Sequence, residues 1–189
     1  MKSRHALPSA LLATLVVLAV YGFIIVRRGF SAKDQPSALE VIVARTVRNV
    51  SLAAGAGNLK NSLPETRENI HEGLEHFADH CSFCHANDGS GDSEIGRNLY
   101  PKPPDLRQSP TQHLSDGSIY SIIANGVRLT GMPASDHDPD DNWRLVLFVR
   151  HLPNLTPAEK AEMERLNPSS EHDEEGHHGR KDNLELQHH

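Results

Sequence analysis

The stretch Cys81-Ser82-Phe83-Cys84-His85 decides how this chain is organised. It has the pattern Cys-x-x-Cys-His, whose two thiols add across the two vinyl groups of a porphyrin. The histidine that follows is then held under the iron as its proximal ligand. The pattern therefore predicts one covalently attached haem c, bound through Cys81 and Cys84 and ligated by His85.

A Cys-x-x-Cys pair can also be a redox disulfide or half of a zinc site. The chain has only 2 cysteines, so a second Cys-x-x-Cys is absent. A thioredoxin-like motif would need a βαβ context, and the neighbouring sequence does not have that pattern. Haem attachment is therefore favoured over both alternatives.

The N-terminal residues 1–26 are predicted to be a signal anchor or transmembrane helix. Leu7–Val26 is free of charged residues, and a helix over it would be roughly 30 Å long, about one hydrocarbon core. A cleaved signal peptide is the alternative, but the apolar run is long for one and no convincing small-x-small site follows. Basic residues on both sides leave the orientation open.

Residues 27–62 are interpreted as a tether. They carry an excess of basic residues, and Gln35-Pro36-Ser37 indicates a break. Leu39–Leu52 has a partly alternating apolar pattern, so it is either a linker or a short extended or helical segment that lies on the next domain or on a partner. The run at 53–57 is expected to be a flexible joint.

Helical spacing of apolar residues predicts three main helices in a domain at residues 63–155. They are expected from about Arg67 to His80, from the cap Ser115 to just before Gly126, and from the cap Asp138 to Pro153. Ile119, Ile122 and Ile123 would form the buried face of the second helix. No strand pattern is found, and the fold class predicted is all-α.

The domain at residues 63–155 resembles a class I (mitochondrial-type) bacterial mono-haem cytochrome c. The order of parts is the same: a helix with a Gly-x-x-x-aromatic face, Cys-x-x-Cys-His, Pro-Asp-Leu, a helix, Gly-Met-Pro and an aromatic C-terminal helix. The resemblance covers about half of the chain. It implies a cytochrome c-like fold in which the first and last helices cross at Gly73, Phe77 and Trp143.

The same resemblance implies further haem contacts. In the family's proline loop, a carbonyl accepts the N–H of the proximal histidine, here that of Pro104 for His85, and Leu106 would pack on the haem face. The sixth iron ligand would be a thioether. Met132, in Gly131-Met132-Pro133, is the candidate, with His113 as the main rival.

Two further methionines, Met1 and Met163, are set aside as sixth ligands. Met1 begins the membrane segment, and Met163 is expected on a solvated helix because charged residues surround it. The proline stretch could also be merely a proline-rich loop without a role toward His85.

An iron closed on both faces favours electron transfer over oxygen chemistry, so the chain is predicted to be an electron carrier and not an enzyme. A fixed haem subunit of a larger respiratory oxidase or dehydrogenase complex is the alternative, followed by a haem-based sensor or peroxidase. The family attaches its haem outside the energy-coupling membrane. The haem domain is therefore expected in the periplasm, tethered by the N-terminal helix.

Charge bears on the partners of the domain. Residues 63–155 carry seven basic and 14 acidic side chains, which predicts redox partner proteins with a basic docking patch and no nucleic-acid binding.

In the tail, 156–189, a short helix is expected to begin at Thr156-Pro157 and to end near Leu166. The rest, rich in His and acidic residues, is predicted to be disordered, with metal binding as an open alternative.

Overall fold

The computed structural model describes residues 6–28, 31–32, 34–55 and 58–168. The chain divides into two compact units, Met1–Asp34 and Gln35–His189. The predicted disorder of the His-rich tail falls outside the described residues. Within the described residues the chain is helical and has no strand, so the predicted all-α class is confirmed.

The helices are numbered here in chain order. They are α1 (Ala6–Arg28), α2 (Ala38–Gly55), α3 (Arg67–His80), α4 (Ser82–His85), α5 (Glu94–Arg97), α6 (Ser109–Gln112), α7 (Asp116–Asn125), α8 (Pro139–His151) and α9 (Pro157–Leu166), with a 3-10 turn at Leu152–Asn154.

The first unit contains α1. Its segment Ser9–Arg27 has a mean hydropathy of 2.6, and no part of this window is buried by other protein groups. Within the described residues it is the one helix that is long and apolar enough to cross a membrane. The position of this helix agrees with the apolar run Leu7–Val26, over which the sequence predicts a helix.

Helix α2 lies in the segment interpreted as a tether, and of the alternatives left open there the structure has the helical one. The helix begins with a reciprocal cap. The Ser37 N–H donates to Glu40 Oε2 at 2.6 Å, and the Glu40 N–H donates to Ser37 Oγ at 3.3 Å. The Tyr100 hydroxyl donates to Glu40 Oε1 at 3.1 Å, which ties α2 to the loop after α5. This Ser-x-x-Glu capping box is a start signal that the alternating pattern obscured.

Helices α3, α7, α8 and α9 begin where the sequence predicts, because each is preceded by a side chain that accepts a backbone N–H. The caps are Thr66, Ser115, Asp138 and Thr156. Such caps satisfy donors that have no partner in the first turn and are each worth about 1 kcal/mol.

The core is built on the crossing of α3 and α8. A Cβ atom at Gly73 would lie 2.3 Å from the carbonyl oxygen of Arg144 and 3.0 Å from Cβ of Phe148, so only glycine allows this approach. The rings of Phe77 and Phe148 pack with centroids 5.2 Å apart. Phe148 thus faces Phe77 at the crossing, because residues 144 and 148 share a helix face.

Trp143 was expected at the crossing itself. Its indole ring stacks on Tyr120 of α7, with centroids 4.2 Å apart. Residue 143 is turned about 100° from residue 144 around the helix axis, which directs it toward α7. The buried face predicted for α7 is only partly buried: Ile119 is buried, whereas Ile122 and Ile123 are half-buried.

Met163 was predicted to lie on a solvated helix, and this prediction is wrong. The side chain is completely buried in the core cluster. Helix α9 packs on α3, with its charged neighbours at the sides and Met163 on the inner face. Because a helix presents only one face to the core, flanking charges do not indicate where a single apolar residue points.

Replacing Gly73 with alanine should destabilise the domain. The added Cβ must displace backbone of α8, and overpacking of this kind typically costs about 1–3 kcal/mol. This should outweigh the gain of about 1 kcal/mol in helix propensity. Urea unfolding followed by circular dichroism measures the change. Asp79→Ala, at an exposed position of the same helix, is the control and should be close to neutral; an equal effect of both variants would contradict the close crossing.

Candidate haem site

The Cys-x-x-Cys-His stretch forms one helical turn directly after α3. Cys81 ends α3 and begins α4 (Ser82–His85). The N–H groups of Cys84 and His85 both donate to the carbonyl of Cys81, at 3.1 and 2.9 Å. Ser82 is buried and its hydroxyl donates to the Ala78 carbonyl at 2.6 Å. The two thiols and the imidazole are therefore carried by a continuous, hydrogen-bonded helical segment.

Helix α5 and its N-cap residue Ser93 pack against the backbone of this turn. The Ser93 hydroxyl contacts the carbonyl oxygens of Phe83 and Cys84 at 2.5 and 3.2 Å. A Cβ atom at Gly96 would lie 2.3 Å from the Cys84 carbonyl oxygen, so α5 can approach only because residue 96 is glycine. The backbone of the motif is thus fixed on the side where α5 packs.

The two cysteines are free thiols. Burial, reinforced by the neighbouring Cys84, raises the pKa of Cys81 to about 12, and burial also raises that of Cys84. A thiol with so high a pKa is not a thiolate at neutral pH. Disulfide exchange and metal binding both use the thiolate, and burial acts against that form at both cysteines.

His85 is the enclosed polar group of the turn. Its Nδ1 is buried and has no hydrogen-bond partner within the described part of the chain. Burial lowers the pKa of His85, and the carbonyl of Pro104 acts in the opposite direction. The carbonyl is near enough to act on the ring, although it does not meet the geometry of a full hydrogen bond to Nδ1. The imidazole is kept neutral, which is the form that ligates a metal.

The proline loop is attached to the turn through backbone contacts. The Gly91 N–H donates to the His85 carbonyl at 2.8 Å. A Cβ at Gly91, where φ is +78°, would be 2.7 Å from the Pro103 carbonyl oxygen. The Leu106 N–H donates to the Gly89 carbonyl at 2.8 Å, and its side chain packs half-buried on the core. The structure thus brings His85, Pro104 and Leu106 together.

An arginine missed by the sequence reasoning fixes the same loop. The Arg107 guanidinium donates to both carboxylate oxygens of Asp105, at 2.9 and 2.8 Å, and to Asp88 at 2.5 Å. These hydrogen bonds from Arg107 lower the pKa of Asp105 to about 2. Bidentate pairs of this kind set geometry as well as energy. They hold the loop that carries Pro104.

Asp105→Asn should weaken the domain in a pH-dependent way. The folded-state pKa of Asp105 is depressed from 3.8 to about 2, so its contribution is full above about pH 4 and is lost as the pH falls toward 2. For a partly exposed pair we expect about 1 kcal/mol at pH 6. The difference between the urea midpoints of the two proteins should narrow as the pH is lowered from 6 through 4 to 3. Asp92→Asn, at an exposed pair, is the control, and a pH-independent gap would contradict this account.

Met132 lies half-buried in a tight turn between α7 and α8. The Val127 N–H donates to the Met132 carbonyl at 3.1 Å, and the Met132 N–H donates to Thr130 Oγ1 at 3.1 Å. Gly126, with φ +63°, packs against the Pro133 backbone. The turn is therefore internally braced. The rival His113 is exposed, and its Nδ1 lies 3.0 Å from the Ser109 hydroxyl.

The residues present fit a haem c. Two thiols and an imidazole stand on one helical turn, and Nδ1 of the imidazole is buried without a hydrogen-bond partner among the described residues. Thiol, imidazole and thioether side chains are the donors by which proteins attach and ligate haem.

The helical fold and the Cys-x-x-Cys-His turn are the features expected of a c-type cytochrome domain. Residues 68–149 match the family model described as "Cytochrome C oxidase, cbb3-type, subunit III". This match supports a cytochrome c haem domain and haem-based electron transfer in this part of the chain. A comparison with curated proteins finds no match.

Proposed function

We propose that this chain is a membrane-anchored, single-haem cytochrome c that carries electrons on the outer face of the cytoplasmic membrane. Cys81 and Cys84 hold the haem through thioethers, and His85 is the proximal ligand. The observation that carries this proposal is the hydrogen-bonded helical turn that carries two thiols and an imidazole whose Nδ1 is buried. Since the sequence has one Cys-x-x-Cys-His motif, one haem is covalently attached.

Met132 is proposed as the sixth ligand. Its braced turn joins α7 and α8, and Met163, the other methionine outside the N-terminal segment, is completely buried in the core. Thioether ligation raises the reduction potential relative to bis-histidine ligation. A haem ligated on both faces has no open iron position for a substrate, which favours an electron carrier over an enzyme.

The anchor is proposed to be α1. It is long and apolar enough to span a bilayer. The haem domain then lies in the periplasm, where the resembling family attaches its haem. The excess of acidic side chains in residues 63–155 favours redox partners with a basic docking patch, and it disfavours nucleic acid.

A second candidate is a fixed haem subunit of a respiratory oxidase. The matching family model carries the description of a cbb3-type oxidase subunit. Helix α2 also presents exposed apolar side chains that a larger assembly could cover, among them Leu39, Ile42, Val43, Val47 and Val50. In this function the haem would pass electrons within a complex instead of shuttling them.

Untagged protein extracted in mild detergent distinguishes the two. A carrier should elute alone, contain one haem per chain and be reduced and reoxidised reversibly in a one-electron titration. A subunit should elute with partner chains in fixed ratio. A preparation with no covalent haem under conditions where other c-type cytochromes of the same cells are loaded would contradict both.

A further inference from the structure

Three imidazoles from two separate segments converge on one side of the α3–α8 crossing. His76 and His80 lie on α3, and His137 lies in the segment that leads into α8. One ring nitrogen from each lies within 4.8 Å of those of the other two. The ring centroids of His80 and His137 are 4.4 Å apart, and those of His76 and His137 are 5.5 Å apart. None of the three is used by the haem proposal.

The backbone that carries these side chains is held in place. His76 and His80 are four residues apart on a capped helix, so they share one face. The Ser135 hydroxyl donates to Asn142 Oδ1 at 2.8 Å, and the His137 N–H donates to Ser135 Oγ at 3.2 Å. The approach of His137 to α3 is thus fixed by its own hydrogen bonds.

We propose that His76, His80 and His137 bind a divalent transition metal ion, with Zn²⁺ as the ion to test. Zinc takes imidazole nitrogens at about 2.0–2.1 Å, which places tetrahedral ligand atoms about 3.3 Å apart. Small side-chain rotations bring nitrogens within 4.8 Å to that separation. The site needs no rearrangement of either backbone segment.

Asp141 supplies the acidic group that three-histidine sites commonly have. Its Oδ1 lies 3.3 Å from Nε2 of His76. A carboxylate at one ring nitrogen orients the imidazole and raises its basicity as a ligand. Arg144 also donates to Asp141 Oδ1, at 2.8 Å. Because this carboxylate is already held by Arg144, we assign it to His76 as a hydrogen-bond partner and not to the metal. The fourth metal position is then taken by water.

The site is open to solution on one side. His80 is exposed, whereas His76 and His137 are half-buried. An ion can therefore enter without unfolding, and three protein ligands with one open position correspond to the coordination of accessible zinc sites. Because it joins α3 to the segment before α8, a bound ion should stabilise the folded domain.

Zinc binding tests the proposal in the full haem-loaded chain. The histidines of the tail would compete for the ion, so the background variant carries glutamine at all five: His172, His177, His178, His188 and His189. Calorimetric titration should show one zinc per chain. Thermal unfolding should show a higher midpoint with zinc than without it. His76→Gln and His137→Gln should each weaken binding at least tenfold. His71→Gln, an exposed histidine of the same helix, is the matched control and should bind as the background does.

X-ray absorption at the zinc edge gives a readout that does not depend on folding of the variants. The zinc-loaded background protein should show three imidazole nitrogens in the first shell. Fewer than three, or titrations in which His76→Gln and His137→Gln bind zinc as tightly as His71→Gln, would overturn the proposal. His80 is left unchanged because it precedes Cys81. Unaltered haem spectra of the variants show that the haem site is preserved.

Discussion

Replacing Met132 with alanine is expected to leave the haem attached and to open one face of the iron. In the proposed site, the thioether bonds of Cys81 and Cys84 do not depend on Met132, and His85 should remain bound as part of the attachment motif. Since the thioether's preference for Fe(II) is lost, the reduction potential should fall by on the order of 0.1 V, within the roughly 0.8 V range that axial ligands set. Reduced Met132→Ala should bind CO rapidly, as followed by optical spectroscopy.

Met163→Leu is the control for this experiment. It removes the other thioether of the folded unit from a buried position and should cost less than about 1.5 kcal/mol. Its spectrum and potential should match those of the wild type. If Met132→Ala keeps the wild-type spectrum and potential, another side chain is the ligand, and His113 becomes the next to replace.

Removing both thiols should have the largest effect on the fold. Cys81→Ala with Cys84→Ala should abolish covalent haem, and the helical domain should fail to accumulate. The apolar side chains of α7 illustrate why: Ile122 and Ile123 are only half-buried by protein. A domain of this size needs additional core material, which we expect the haem to supply. Haem staining after denaturing electrophoresis and circular dichroism measure both consequences.

Phe83→Ala provides the comparison within the motif. This side chain is 53% exposed and lies between the two cysteines, so its loss should spare attachment and helix content. A soluble, fully helical double cysteine variant without haem would contradict the view that haem is part of the core.

Local signals were sufficient to predict helices α3, α7, α8 and α9, whereas the four-residue helices α4, α5 and α6 were not predicted. Thr66, Ser115, Asp138 and Thr156 each precede a helix because a short polar side chain satisfies its first donors. Helix α2 has the same signal in Ser37 and Glu40. There, the partly alternating apolar pattern of the following residues left a linker, an extended segment and a helix open.

Contacts that depend on packing between distant segments could not be predicted from local sequence signals. The spacing of His76 and His80 is visible in the sequence, but only the fold brings His137 to them. The link from Arg107 to Asp88 likewise joins residues that are 19 positions apart. The burial of Met163 results from the docking of α9 on α3, which its charged neighbours conceal.

The central claim is that the haem iron is ligated on both faces and serves electron transfer. Exposure of the reduced wild-type protein to CO tests this claim most directly. Rapid mixing followed by optical spectroscopy should show slow CO binding or none, since Met132, as the proposed sixth ligand, would first have to leave the iron. Immediate and complete CO binding by the reduced wild-type protein would contradict the claim, because the iron would then have an open face suited to a sensor or a peroxidase.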